Sequence, residues 1–126
     1  MTPILVVALG GALGSVARYT LSTCTWQATP GWKFPLGTFL VNVLGCLLVG
    51  VLAGAAEKHG LLSPNVRLFL FTGLAGGFTT FSAFGLETFM LLRRGDWSVA
   101  LAYVSLSLLI GIGALALGFV AVPKPQ

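Results

Sequence analysis

Gly73-Leu74-Ala75-Gly76-Gly77-Phe78-Thr79-Thr80-Phe81-Ser82-Ala83-Phe84-Gly85 forms the centre of an apolar run from about Val66 to Leu92. A run of that length crosses a bilayer, whose hydrocarbon core takes about 20 helical residues. Its centre makes a poor regular helix, because a glycine pair is followed closely by Thr79, Thr80 and Ser82. The pattern predicts an unwound turn at mid-membrane. Backbone groups freed in hydrocarbon cost several kcal/mol each, so such a break needs compensation. It occurs where freed groups bind ions or line a cavity, or where neighbouring helices hold a kink.

Three further apolar stretches flank this one, at about Pro3–Cys24, Phe34–Ala56 and Val99–Val122. The connections between them hold Pro30-Gly31, His59-Gly60, Ser63-Pro64 and Gly95-Asp96, which are turn and boundary residues. Residues 1–126 therefore read as one domain of four transmembrane helices, an all-α membrane protein with a break in the third span. Composition agrees. Hydrophobic residues make up 56% of the 126, and charged residues only 8%, where a soluble domain carries about 25%. Seven basic residues are too few and too scattered for a nucleic-acid surface. The first stretch lacks a basic start and is interrupted by Arg18, unlike a cleaved signal peptide. Cys24, Cys46 and His59 form no ligand cluster, and His59 reads as a solvated loop residue.

Four spans place both termini on one side, with Lys58, Arg67 and Lys124; the other side has Lys33, Arg93 and Arg94. Three against three leaves the positive-inside rule almost nothing to act on. That balance admits either an orientation set by other signals or insertion both ways, with antiparallel pairing.

Polar residues within spans are costly and are functional candidates by default. Arg18 and Glu87 lie at matching depth and are read as a structural ion pair, or as an arginine snorkelling to the interface. Thr38 and Asn42 share one face of the second span, and Tyr103 and Ser107 share one face of the fourth. Each pair serves interhelical hydrogen bonding, or both line one path. Phe81 and Phe84 share a face, either packing or presenting their positive ring edges to a small anion. Gly10/Gly14 and Gly50/Gly54 are spaced for close helix packing. Four short helices enclose little space, so a path between subunits, and hence an oligomer, is expected. No nucleophile–histidine pairing or nucleotide motif points to an enzyme.

Three segments carry a resemblance to the Fluc (CrcB-like) fluoride channel family that covers nearly the whole chain. They are Gly10–Tyr19, Pro35–Gly45, and Gly76-Gly77-Phe78-Thr79-Thr80-Phe81-Ser82-Ala83-Phe84 followed by Glu87. The resemblance implies an antiparallel, dual-topology homodimer in the cell (inner) membrane. It implies two pores that let fluoride leave the cytoplasm down its electrochemical gradient, lowering fluoride toxicity. A structural sodium ion at the dimer dyad would be held by the backbone carbonyls of Gly76 and Thr79. By the same resemblance Phe81 and Phe84 are pore phenylalanines, and Asn42, Thr38, Tyr103 and Ser107 are pore donors. Thr80 and Ser82 are placed beside them, and Arg18 in a vestibule. The family's usual threonine is replaced by Ala83, and a possible hydroxyl below Ser107 by Gly111.

The chemistry is coherent. Fluoride is small and strongly hydrated, so a pore must offer donors in place of water, and several weak sites in series permit both binding and release. A small dual-topology multidrug exporter is the alternative, but it needs an embedded carboxylate for proton coupling, and the first span has none. A non-transporting subunit would leave the polar stripes without a use.

Overall fold

Proline at the first helical position starts the first helix, where its missing N–H costs nothing. The computed structural model describes residues 2–60 and 62–126. Helix α1 spans Pro3–Ala28, α2 spans Leu36–His59, α3 covers residues 64–78, α4 spans Phe81–Arg93 and α5 spans Trp97–Ala121. Together α3 and α4 make the third of four segments long and apolar enough to cross a membrane, and no strand occurs among the described residues. This is an all-helical, multi-pass membrane protein.

The helices outrun the apolar stretches read from sequence. α1 continues past Cys24 to Ala28, and α2 past Ala56 to His59. Polar residues at the interface do not stop a helix, because water and headgroups satisfy them. What ends α2 is Gly60, whose φ of 62° and N–H bond to Ala56 O form a left-handed cap. His59, expected to be solvated, is half-buried, and its ring Nε2 lies 3.0 Å from Pro123 O. Lys58 donates to Phe119 O at 2.9 Å and Val122 O at 2.6 Å, supplying a cation and two donors to the carboxyl end of α5.

The third span is the irregular one. Ser63 opens α3 by accepting from the Val66 N–H. Over Leu68–Ala75 the helix is widened, and the Gly76 N–H reaches back to Phe71 O. Gly76 itself is helical, at φ −63° and ψ −37°. Thr79 and Thr80 have extended dihedrals, with ψ of 158° and 117°. Helical geometry therefore lapses at the two threonines rather than at the glycine pair. The Thr80 hydroxyl explains the position, since it accepts the Ala83 N–H at 3.1 Å and starts α4.

The glycines bring backbones together. α1 packs on the widened stretch of α3, and α2 packs along α5. A Cβ on Gly14 would collide with Leu74 O, one on Gly77 would lie 2.6 Å from Gly11 O, and one on Gly50 would collide with Leu115 O. Gly113, by contrast, faces nothing within 4 Å. Gly50→Ala should therefore cost about 1–3 kcal/mol, the range for overpacking. Gly113→Ala should be neutral or slightly stabilising. Unfolding midpoints of the detergent-purified variants check this.

Candidate functional site

Freed backbone at Thr79–Thr80 must find partners within the membrane, and Asn42 supplies them. Its Nδ2 donates to Thr80 O at 2.9 Å, and its Oδ1 accepts the Thr80 N–H at 2.8 Å. The amide orientation follows from this pairing. One Nδ2 hydrogen is left over. Thr79 turns its own hydroxyl to Ala75 O at 2.9 Å and packs its methyl against Gly45, where a Cβ would not fit.

Diverting these donors has a second effect. In a continuous helix Gly76 O would accept from residue 80 and Thr79 O from residue 83. Here the Thr80 N–H goes to Asn42 and the Ala83 N–H goes to the Thr80 hydroxyl. Gly76 and Thr79 thus present carbonyls without their usual helical donors, and Gly76 is exposed.

Beside the break lies an open groove of about 350 Å³. Asn42 and Cys46 of α2, Thr79, Thr80, Phe81, Phe84, and Ser107 of α5 are among its lining residues. Phe81 is 83% exposed, with its ring centroid 5.8 Å from that of Phe84. Ser107 Oγ is buried without a hydrogen-bond partner. Six of the residues singled out in the sequence thus meet on one surface.

The others divide. Tyr103 is fully buried, 5.1 Å from the Phe84 ring, and its hydroxyl donates to Glu87 Oε2 at 2.7 Å. Thr38 donates to Glu87 Oε1, also at 2.7 Å. Both hydroxyl hydrogens are therefore committed to one carboxylate. A second cavity of about 480 Å³ begins there, bounded by Thr38 and Glu87 below and by Lys33 and Arg94 at its mouth. Ser82 is exposed outside the groove, 3.4 Å from the Thr80 hydroxyl. Arg18 does not pair with Glu87. It is half-buried, one turn below Ser22 on the α1 face that contributes Ser22 and Trp26 to the second cavity. The ion pair among the described residues is Lys33 with Asp96, at 2.8 Å.

The sequence offered Arg18 as one possible partner for Glu87, and Cys46 was not among the candidate site residues. The matching depths of Glu87, Thr38 and Tyr103 were a usable signal. Cys46 gave none, because a thiol in a membrane helix reads as apolar.

Comparison with known proteins follows the same lines. The family model described as CrcB-like protein, Camphor Resistance (CrcB), matches residues 5–119. A protein of Methylobacillus flagellatus named Fluoride-specific ion channel FluC is 55% identical over 119 residues, covering 94% of this chain and 93% of its own. Proteins of the same name from Nitratidesulfovibrio vulgaris and Flavobacterium psychrophilum are 47% and 44% identical. These two alignments cover 94% and 95% of this chain, and 94% and 96% of the relatives.

The Asn42 amide is expected to carry the fold as well as the site. Asn42→Leu orphans the Thr80 N–H and carbonyl, at about 1–3 kcal/mol each. Thermal unfolding in detergent should show Asn42→Leu far less stable than Ser107→Ala, whose hydroxyl has no partner to lose.

Proposed function

The chain belongs to the CrcB-like family, a family of ion channels rather than enzymes, and on that premise we propose that it is a fluoride-selective channel of the bacterial inner membrane. The observation that carries this is the groove, which Asn42, Ser107, Phe81 and Phe84 line together, with the Ser107 hydroxyl free of a partner among the described residues. Such a surface suits a small, hard anion that needs its water replaced. It does not suit a large organic cation.

The path in this reading uses both cavities. Fluoride enters the cavity above Thr38 and Glu87 and passes the Tyr103 hydroxyl. It then moves along the Phe84 and Phe81 edges past Asn42, Thr80 and Ser107, with Ser82 at the outer margin. Thr38 and Tyr103 become donors to the anion only when Glu87 gives one of them up, so these three groups exchange partners as the ion passes. Ring edges and single donors bind weakly, which permits release. Arg18, on the α1 face of the cavity, adds positive potential. The path lets fluoride run out of the cytoplasm down its gradient and lowers its toxicity.

The working unit in this reading is an antiparallel, dual-topology homodimer with two pores. Phe81 is open to its surroundings in one chain and the groove lacks a wall, which a second copy supplies. The even split of basic residues between the two sides permits insertion both ways. A structural sodium ion at the dyad fits the carbonyls of Gly76 and Thr79, which have lost their helical donors and are oxygen ligands of the kind a hard cation takes. The ion would offset the cost of anions nearby.

Fluoride efflux from liposomes holding the purified chain tests the reading. Phe81→Ile, Phe84→Ile and Ser107→Ala should each slow efflux at least about tenfold, the loss of about 1.4 kcal/mol at a site in the path. Unchanged efflux in all three would remove the groove from the path. Dialysis into sodium-free buffer should lower dimer stability, and sodium should restore it.

A further inference from the structure

The second cavity is a mouth whose charge has been cancelled. Lys33 and Arg94 stand at its edge and Glu87 at its floor. Behind Lys33 stands Asp96, with its Oδ1 2.8 Å from the ammonium and its side chain largely buried, at 17% exposure, while the lysine is 67% exposed. The pair joins the α1–α2 connection to the α4–α5 turn. Counted as ionised, Lys33 and Arg94 at the mouth are balanced by Glu87 and Asp96, which leaves the deeper Arg18 as the excess positive charge. An exposed surface pair of this kind contributes little to stability. Its field at the mouth is another matter, because charge lining a cleft changes the local concentration of an ion.

We propose that Asp96 is an attenuator of anion flux: by neutralising Lys33 it keeps the mouth from concentrating anions indiscriminately. Discrimination is then left to the donors and ring edges deeper in the path. A positive mouth would gather chloride as readily as fluoride, since potential alone does not distinguish halides. The proposal rests on the channel reading above and adds to it a residue that touches no permeating ion.

The test uses the full chain in liposomes loaded with potassium fluoride. Potassium gluconate, added equally inside and outside, sets the ionic strength from about 0.02 M, where charges act over tens of ångströms, to about 0.5 M, where they do not. Asp96→Asn should raise the initial efflux rate about threefold at low ionic strength, the effect of one unit charge at about 7 Å in water. Lys33→Gln and Arg94→Gln should each lower it by a similar factor. All three should converge on the wild type at high ionic strength. The exchanged pair Lys33→Asp/Asp96→Lys should keep the wild-type salt dependence, and Lys124→Gln, remote from the cavity, should match the wild type throughout. The idea is overturned if Asp96→Asn and Lys33→Gln shift the rate in the same direction, or if their effects persist unchanged at high salt. Arg94→Gln decides the sign independently if a pair variant folds poorly. Absence of fluoride efflux from the wild type would overturn the channel reading itself, and this proposal with it. Wild-type efflux with indifferent variants overturns this proposal alone.

Discussion

A peptide group in hydrocarbon must have a partner, and the two hydrogen bonds between Asn42 and Thr80 meet that demand where the third span leaves helical geometry. Much of the rest depends on them. They fix the level of α2 relative to the break and turn Phe81 and Phe84 into the groove. They also divert the Thr80 N–H from the Gly76 carbonyl, while the Thr80 hydroxyl takes the Ala83 N–H that the Thr79 carbonyl would otherwise have used. One side chain thereby holds the fold and leaves a hydrogen for the site.

Around that node the glycines set distances. Gly45 admits the Thr79 methyl, and Gly14 and Gly77 let α1 touch the widened part of α3 backbone to backbone. Without a hydrophobic effect between helices, such contacts and interhelical hydrogen bonds carry the packing. The Thr38–Glu87–Tyr103 cluster is of the second kind, and it ties α2, α4 and α5 together at one depth. In the proposed path it would also set a carboxylate beside the anion, so its donors would have to be shared.

The sequence made four spans plain, because apolar length is a strong signal and charged residues are scarce. An irregularity in the third was legible from Gly76-Gly77 and the hydroxyls, and within that run the extended residues are Thr79 and Thr80. Glycine permits a break, whereas the threonines, with a hydroxyl to cap α4 and an amide across the way, carry it. Asn42 was recognised as polar and deep, yet its double bond to Thr80 depends on register between helices, which no single-span pattern encodes. The same holds for Glu87, which takes Thr38 and Tyr103 as partners rather than Arg18. Phe81 looked like lipid-facing packing by pattern alone. Beside Ser107 and Phe84 it becomes the exposed wall of a groove that a second, inverted chain would close.

Selective passage of fluoride is the central claim, and a reversal potential tests it most directly. With the purified chain in a planar bilayer, fluoride in a roughly tenfold gradient and chloride making up the difference on the dilute side, the current should reverse near the fluoride equilibrium potential. Reversal governed by chloride, or by protons or cations, would contradict the account.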